Sequence, residues 1–143
     1  MSGLETLRRC EITQATLDAF EGRAFVYGKA DCLMMVHAHL TGFGYALPPL
    51  PRYRGGSGAK KALASQGVDN LIDLVGRYLQ PIPPAFMLPG DVLAAEGVPF
   101  ESLAVSSGQL LFGWCEGHST LVNFGIDPAG VQRAWRVEFQ GKE

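Results

Sequence analysis

The sequence has little charge, few cysteines and no long hydrophobic run. Only 18% of its 143 residues are charged, below the share of about 25% that is usual in globular domains. Twelve basic and 14 acidic residues leave a formal net charge of −2, so we expect no nucleic-acid partner, since non-specific binding of that kind needs a basic face. No apolar run reaches about 18 residues, and the first residues lack the apolar stretch of a signal peptide. We therefore expect no membrane span and synthesis in a cytoplasm.

The cysteines predict neither a disulfide framework nor a zinc site. Cys10, Cys32 and Cys115 form no Cys-x-x-Cys pair and leave one cysteine over. The sequence also has no phosphate loop, no dinucleotide fingerprint and no paired catalytic carboxylates. It therefore predicts no cofactor and no metal.

The first half of the chain favours helices. A loose helical pattern covers residues 12–20, with Thr13 as a plausible N-cap. An apolar helix is predicted from Cys32 to about Leu40, capped by Asp31, ended by Gly42 and placed in the core. Two more helices are predicted, at residues 59–66 and 69–79. The loop 42–58 is rich in proline and glycine and long enough to suggest a partner contact.

The second half of the chain favours short strands. After an irregular stretch at 80–89, apolar runs punctuated by glycine predict strands at 91–95, 103–107, 109–114, 120–124 and 133–139. Helices followed by an antiparallel sheet predict one α+β domain over residues 1–143. The helical half is expected at about 1–80 and the sheet half at about 90–143.

The strongest local signal for chemistry is Tyr27-Gly28-Lys29-Ala30-Asp31-Cys32. A cysteine in the first turn of a helix meets unpaired backbone N–H groups and the positive end of the helix dipole, which lower the pKa of a thiol. The alternative is a small hydrophobic residue packed in the core, the usual place of a free cysteine. Both interpretations stay open at this point.

A nucleophilic cysteine needs a base within about 3 Å. His39 lies two helical turns away, about 10.5 Å along the axis, and His37 lies about 140° around the helix. Both are predicted to be core or rim histidines, and because they point apart they make no metal pair. His118 follows Gly117 at the start of a predicted strand. It reaches Cys32 only if that strand end packs against the helix start, and a surface turn is the alternative.

Other polar and aromatic residues give weaker signals. Asp91 follows Pro-Gly at a strand start and is interpreted as a turn residue. Arg52-Tyr53-Arg54-Gly55-Gly56 forms a small basic and aromatic patch, which faces solvent, a partner or a polyanion. Trp114, Trp135 and Phe139 alternate with polar neighbours and are predicted to face the core.

Four features, which span about residues 12 to 138, occur in a recognisable order. They are Phe25-Val26-Tyr27-Gly28-Lys29-Ala30-Asp31-Cys32, Tyr53-Arg54 with Gly58-Ala59, Pro89-Gly90-Asp91-Val92, and Arg133-Ala134-Trp135-Arg136-Val137. Gly-x-x-Asp-Cys at a helix start, Pro-Gly-Asp opening a strand and a following strand pair separated by glycine resemble the NlpC-type cell-wall cysteine endopeptidases, which are small papain-like α+β domains. The four features together resemble more closely a group of proteins encoded by tailed phages and prophages among the genes for the tail tip.

The resemblance implies that Cys32 stands where the endopeptidases have the nucleophile that attacks a peptidoglycan stem peptide. It places their histidine base just before the strand after Pro-Gly-Asp, where this chain has Ser102. A serine hydroxyl is no general base at neutral pH, and losing one member of a catalytic unit lowers the rate by orders of magnitude. The expected function is therefore a structural or assembly component of a phage tail tip, located in the virion tail and contacting other tail proteins. Its peptidase-like fold is expected to be inactive.

Two alternatives remain open. One is an active peptidoglycan endopeptidase or amidase with Cys32 as nucleophile and His118 as a displaced base. The other is a groove beside Cys32 that binds peptidoglycan or a lipid-like ligand without cleaving it.

Overall fold

The computed structural model describes residues 3–97, 100–114, 119–125 and 130–140. Over these residues the chain forms four α-helices followed by a six-stranded antiparallel sheet, which confirms the α+β class. The elements are α1 Gly3–Phe20, α2 Cys32–Gly42, α3 Gly55–Ser65, α4 Leu71–Gly76, β1 Gln80–Ile82, a 3-10 helix Pro84–Phe86, β2 Val92–Ala95, β3 Ser102–Ser106, β4 Leu110–Gly113, β5 Val122–Gly125 and β6 Val131–Arg136. No helix in these ranges is long and apolar enough to cross a membrane.

The first helix begins ten residues before the predicted N-cap. Thr13 is buried in the middle of α1, where its hydroxyl donates to the carbonyl oxygen of Arg9 at 2.7 Å. The prediction of Thr13 as an N-cap is therefore wrong. The first turns of α1 expose Leu4 and Leu7 to solvent, so they lack the apolar stripe that would mark a helix in the sequence.

The start and the end of α2 confirm the sequence prediction. Asp31 caps α2, and the helix ends at Gly42. The third helix begins at Gly55, four residues before its predicted start, so the irregular part of the loop is shorter than predicted. The fourth helix is shorter than predicted, because the side chain of Asn70 accepts a hydrogen bond from the N–H of Asp73 and sets its start.

The strand order in the sheet is β1-β6-β2-β3-β4-β5. Strand β2 pairs with β3 on one side, where Val92 lies opposite Val105, and with β6 on the other, where Val92 lies opposite Trp135. Residues 80–89 were predicted to be irregular, yet β1 forms here as an edge strand, with Pro81 opposite Trp135. An edge position tolerates proline, and the partner strand of β1 is about 50 residues away in the chain, which local pattern does not reveal.

Two apolar layers flank the sheet. The larger layer lies between the helices and the sheet and contains Trp135, which is 2% exposed, whereas Trp114 and Phe139 pack against it half-buried. A smaller layer covers the other face, built on Leu93, Ala104, Leu111 and Ala134.

Helix α2 packs on β3. The side chain of His39, near the end of α2, contacts Gly90, whose N–H donates to the carbonyl oxygen of Ser106 at the end of β3. The first turn of α2 consequently lies beside Ser102, where β3 begins.

Candidate functional site

Asp31 holds the backbone that presents Cys32. One carboxylate oxygen accepts the N–H of Met34 at 2.8 Å, and the other accepts the N–H of Gly28 at 2.8 Å and the hydroxyl of Tyr53 at 2.5 Å. Residues 26–30 form a tight turn in which Gly28 has a φ of +80°, a conformation that favours glycine. The glycine turn and the Asp cap are as predicted, whereas the role of Tyr53 was missed, because its contact depends on the fold of a distant loop.

The surroundings of Cys32 raise the pKa of its thiol. Burial raises its pKa to about 12; hydrogen bonds from the backbone of Leu103 and of the first turn of α2 lower it, and the charge of Asp31 raises it further. The sequence left two interpretations open, a thiol activated by the helix start and a small hydrophobic residue in the core, and the raised pKa favours the second. The loss of solvent around the sulfur outweighs the backbone groups at the helix start.

Cys32 lines a cleft between the first turn of α2 and the start of β3. Its lining residues are Phe25, Tyr27, Asp31, Cys32, Leu33, Tyr53, Ala59, Leu63, Phe100, Glu101 and Ser102. Cys32 and Ser102 therefore share one cleft, although 70 residues separate them in the chain. Ser102 is the first residue of β3, so a serine stands where the resemblance places the histidine of the endopeptidases.

The two histidines of α2 lie outside this cleft. His39 is buried, donates from Nε2 to the carbonyl oxygen of Gly90 at 2.8 Å, and accepts the hydroxyl of Thr16 at Nδ1 at 2.7 Å. Burial lowers its pKa to about 4. His37 donates to the carbonyl oxygen of Pro48 at 3.0 Å. These contacts confirm one core histidine and one rim histidine. His118, like Cys115, lies outside the described residues.

Asp91 closes the turn before β2, as predicted, since its N–H donates to the carbonyl oxygen of Leu88 at 3.0 Å, and it is also a buried ionic junction. It is 0% exposed. One carboxylate oxygen accepts from Nη2 of Arg9 at 2.8 Å and from the N–H of Val137 at 2.9 Å, and the other accepts from Nε of Arg136 at 2.9 Å and from the N–H of Leu88 at 2.8 Å. The junction ties α1 to β6 and to the turn before β2. Pro-Gly-Asp signals a turn, and nothing local in the sequence shows the two distant arginines.

The basic and aromatic patch of the sequence borders a second cleft. Arg52 and Arg54 are exposed and Tyr53 is half-buried, and all three line this cleft together with Tyr27 and Lys29. No group of three histidine, cysteine or acidic side chains within the described ranges is placed to hold a metal ion.

The fold and the site define an α+β domain with a cleft between a helix start and a strand start. The chain belongs to the family DUF6950, described as a domain of unknown function, whose match covers residues 8–137. The match contains Cys32, Asp91 and Ser102. No curated protein and no solved structure matches the chain.

Proposed function

We propose that this protein is a non-catalytic structural or assembly component of a bacteriophage tail tip, built on a papain-like, NlpC-type fold. The tail-tip role and the finer fold assignment come from the resemblance of the motifs in residues 12 to 138. The absence of catalysis is supported by the chemistry of the Cys32 cleft.

The observation that carries the proposal is the pairing of Cys32 with Ser102 in one cleft. Burial raises the pKa of the Cys32 thiol well above neutral pH, so the thiol is protonated at pH 7, and only the thiolate is nucleophilic. Among the described residues that line the cleft, none carries an imidazole. The carboxylate of Asp31 is occupied by three donors, and its charge opposes ionisation of the thiol.

Exposed apolar side chains beside the cleft support a role in protein contacts. Phe25 and Val26 are 42% and 46% exposed, and the ring of Phe25 packs edge-on against Tyr27 at 4.8 Å between centroids. Such side chains at the mouth of a cleft favour a protein partner.

One observation favours the alternative of an active cysteine endopeptidase with His118 as base. Trp114 donates from its indole to the carbonyl oxygen of Arg23 at 3.0 Å, and Thr120 forms a bridge with Ala24. The described residues before and after 115–118 therefore both contact the segment that leads to Phe25, at the edge of the Cys32 cleft. His118 remains the candidate base of this alternative.

A complementation experiment separates the two functions. In the phage or prophage that encodes the chain, deletion of its gene is expected to give particles with defective tail tips in electron micrographs. The variant Cys32→Ser is expected to restore infectious particles fully, because no thiolate chemistry is needed. Failure of Cys32→Ser to restore them, together with success of Cys10→Ser as the matched control, favours the active enzyme. Normal tails after deletion would contradict the structural role.

The state of the thiol is measured independently by alkylation. The rate of Cys32 modification by iodoacetamide, followed by mass spectrometry across pH, is expected to stay low below about pH 10 and to be unchanged by His118→Ala. A Cys32 pKa below the free value of about 8.5 that rises in His118→Ala establishes a Cys–His dyad and overturns the proposal.

A further inference from the structure

Positive charge is concentrated in one segment of the chain. Residues 22–68 contain six of the 12 basic residues and one of the 14 acidic residues, so this segment has a formal charge of +5 and the rest of the chain −7. The single acid, Asp31, is 4% exposed, and its carboxylate accepts three hydrogen bonds. The surface that this segment presents to solvent is therefore cationic, although the whole protein is slightly acidic.

Three of these cations line one cleft. Lys29, Arg52 and Arg54 line it together with Tyr27, Gly28 and Tyr53. None of the three cations forms an ion pair with another described residue. Three uncompensated charges around one concave surface attract an anionic ligand.

The cationic cleft continues into the Cys32 cleft, because Tyr27 and Tyr53 line both. The hydrogen bond from Tyr53 to Asp31 fixes one wall, and the α-carbon of Gly28 packs against the backbone of Tyr53 with no room for a side chain. The backbone that carries the cations is therefore held in place relative to the Cys32 cleft before any ligand arrives, which reduces the backbone entropy lost on binding.

The Cys32 end of this continuous groove is largely apolar. Phe25, Leu33 and Phe100 line it. Two acids line it as well: the carboxylate of Asp31 accepts three hydrogen bonds, and that of Glu101 is turned toward α4, where it accepts the N–H groups of Leu71 and Ile72 at 3.0 and 3.4 Å. A matching ligand carries carboxylates at one end and an apolar side chain at the other.

We propose that this groove binds an extended acidic segment of a partner protein, with carboxylates against Lys29, Arg52 and Arg54 and an apolar side chain in the Cys32 cleft. The inference names the class of partner for the proposed non-catalytic role and rests on that role. A long nucleic acid fits less well, because the rest of the chain has a formal net charge of −7, which disfavours a polyanion that extends beyond the groove.

Fluorescence anisotropy with a fluorescein-labelled peptide of alternating glutamate and leucine tests the proposal. We expect saturable binding that weakens as salt is raised. Exposed ion pairs change affinity by up to about fivefold each, so Arg52→Gln/Arg54→Gln is expected to weaken binding about tenfold. Arg77→Gln/Arg133→Gln removes the same charge from a surface beside α4 and β6 and is expected to change affinity less than about twofold.

Three competing probes decide the class of ligand. Replacing glutamate by glutamine in the peptide is expected to weaken binding, because it removes the carboxylates that face the cations. Replacing leucine by serine is expected to weaken binding as well, because it removes the apolar side chain that enters the Cys32 cleft. An oligothymidylate that binds more tightly than the peptide overturns the inference in favour of a nucleic acid. Absence of saturable peptide binding at low salt, or an equal loss in both arginine variants, also overturns it.

Mass spectrometry of the bound peptide keeps this inference distinct from the proposed function. Intact peptide agrees with both. Cleavage that is lost in Cys32→Ser contradicts the proposed non-catalytic function but supports the groove as the binding site. If the peptide does not bind, the proposal that the groove binds an acidic segment is overturned. The complementation experiment with Cys32→Ser still decides the role in the tail.

Discussion

Replacing Asp91 by alanine is expected to lower the free energy of unfolding by about 3–5 kcal/mol. The substitution removes the acceptor of four hydrogen bonds with donor–acceptor distances of 2.8–2.9 Å. It also leaves Arg9, which is 3% exposed, without its counter-ion. Breaking a buried ion pair in this way costs about 3–5 kcal/mol, against a total stability of about 5–15 kcal/mol for a domain.

The assay is urea unfolding followed by tryptophan fluorescence, with the buried Trp135 as a reporter. At a slope of about 2 kcal/mol per molar urea, the loss shifts the midpoint by about 2 M with the slope unchanged. Glu11→Ala is the matched control, because Glu11 is an exposed acid on α1 with no contact among the described residues. Its effect is expected to stay within about 0.5 kcal/mol.

A second variant identifies the cause of the loss. If the unpaired charge of Arg9 dominates, Arg9→Met/Asp91→Ala is expected to be more stable than Asp91→Ala alone. A loss below about 1 kcal/mol in Asp91→Ala refutes the reasoning. So does a double variant whose loss equals the sum of the two single losses.

Three further predictions concern the helix core and the turn before Cys32. Folding lowers the pKa of His39 from 6.5 to about 4, so the native state loses stability as pH falls through this window. Urea titrations are expected to show that the protein loses about 2 kcal/mol more than His39→Gln between pH 7 and pH 5. Parallel stability profiles for the two proteins contradict this prediction. Gly28→Ala is expected to lower Tm more than Gly22→Ala, because both glycines have a φ near +80° but only Gly28 packs against another backbone; equal shifts contradict the packing argument. Tyr53→Phe is expected to lower the free energy of unfolding by about 1.5–3 kcal/mol, because it removes the hydrogen bond to the carboxylate of Asp31. Tyr78→Phe removes no such bond among the described residues and is expected to change the free energy of unfolding little. Equal losses in urea unfolding refute this role of Tyr53.

Local pattern determined the start and the end of α2 and the positions of most strands. Asp31 accepts N–H groups three residues away on either side, so the cap depends only on the adjacent chain. Strands β2 to β4 lie within one residue of their predicted bounds at every end, because glycines in the sequence mark the turns around them. The beginning of α1 was not predicted, because the apolar residues of its first turns are exposed and form no buried face. Strand β1 was not predicted, because it pairs with a strand that is distant in the sequence.

The candidate site shows the same division. Sequence order and a helix start were enough to single out Cys32, and the resemblance was enough to single out Ser102. Only the packing of α2 on β3 placed them in one cleft, where burial raises the pKa of the thiol against the effect of the helix start.

The sequence by itself determined the α+β order, the cap of α2 and the concentration of cations in residues 22–68, because each depends on residue type and short spacing. Only the tertiary structure decided that Asp91 forms ion pairs with Arg9 and Arg136 and that Tyr53 donates a hydrogen bond to Asp31. It also decided that the cleft lined by the cations is continuous with the Cys32 cleft. These contacts join residues 22–82 positions apart, and burial and charge at such contacts depend on which distant segments the fold brings together.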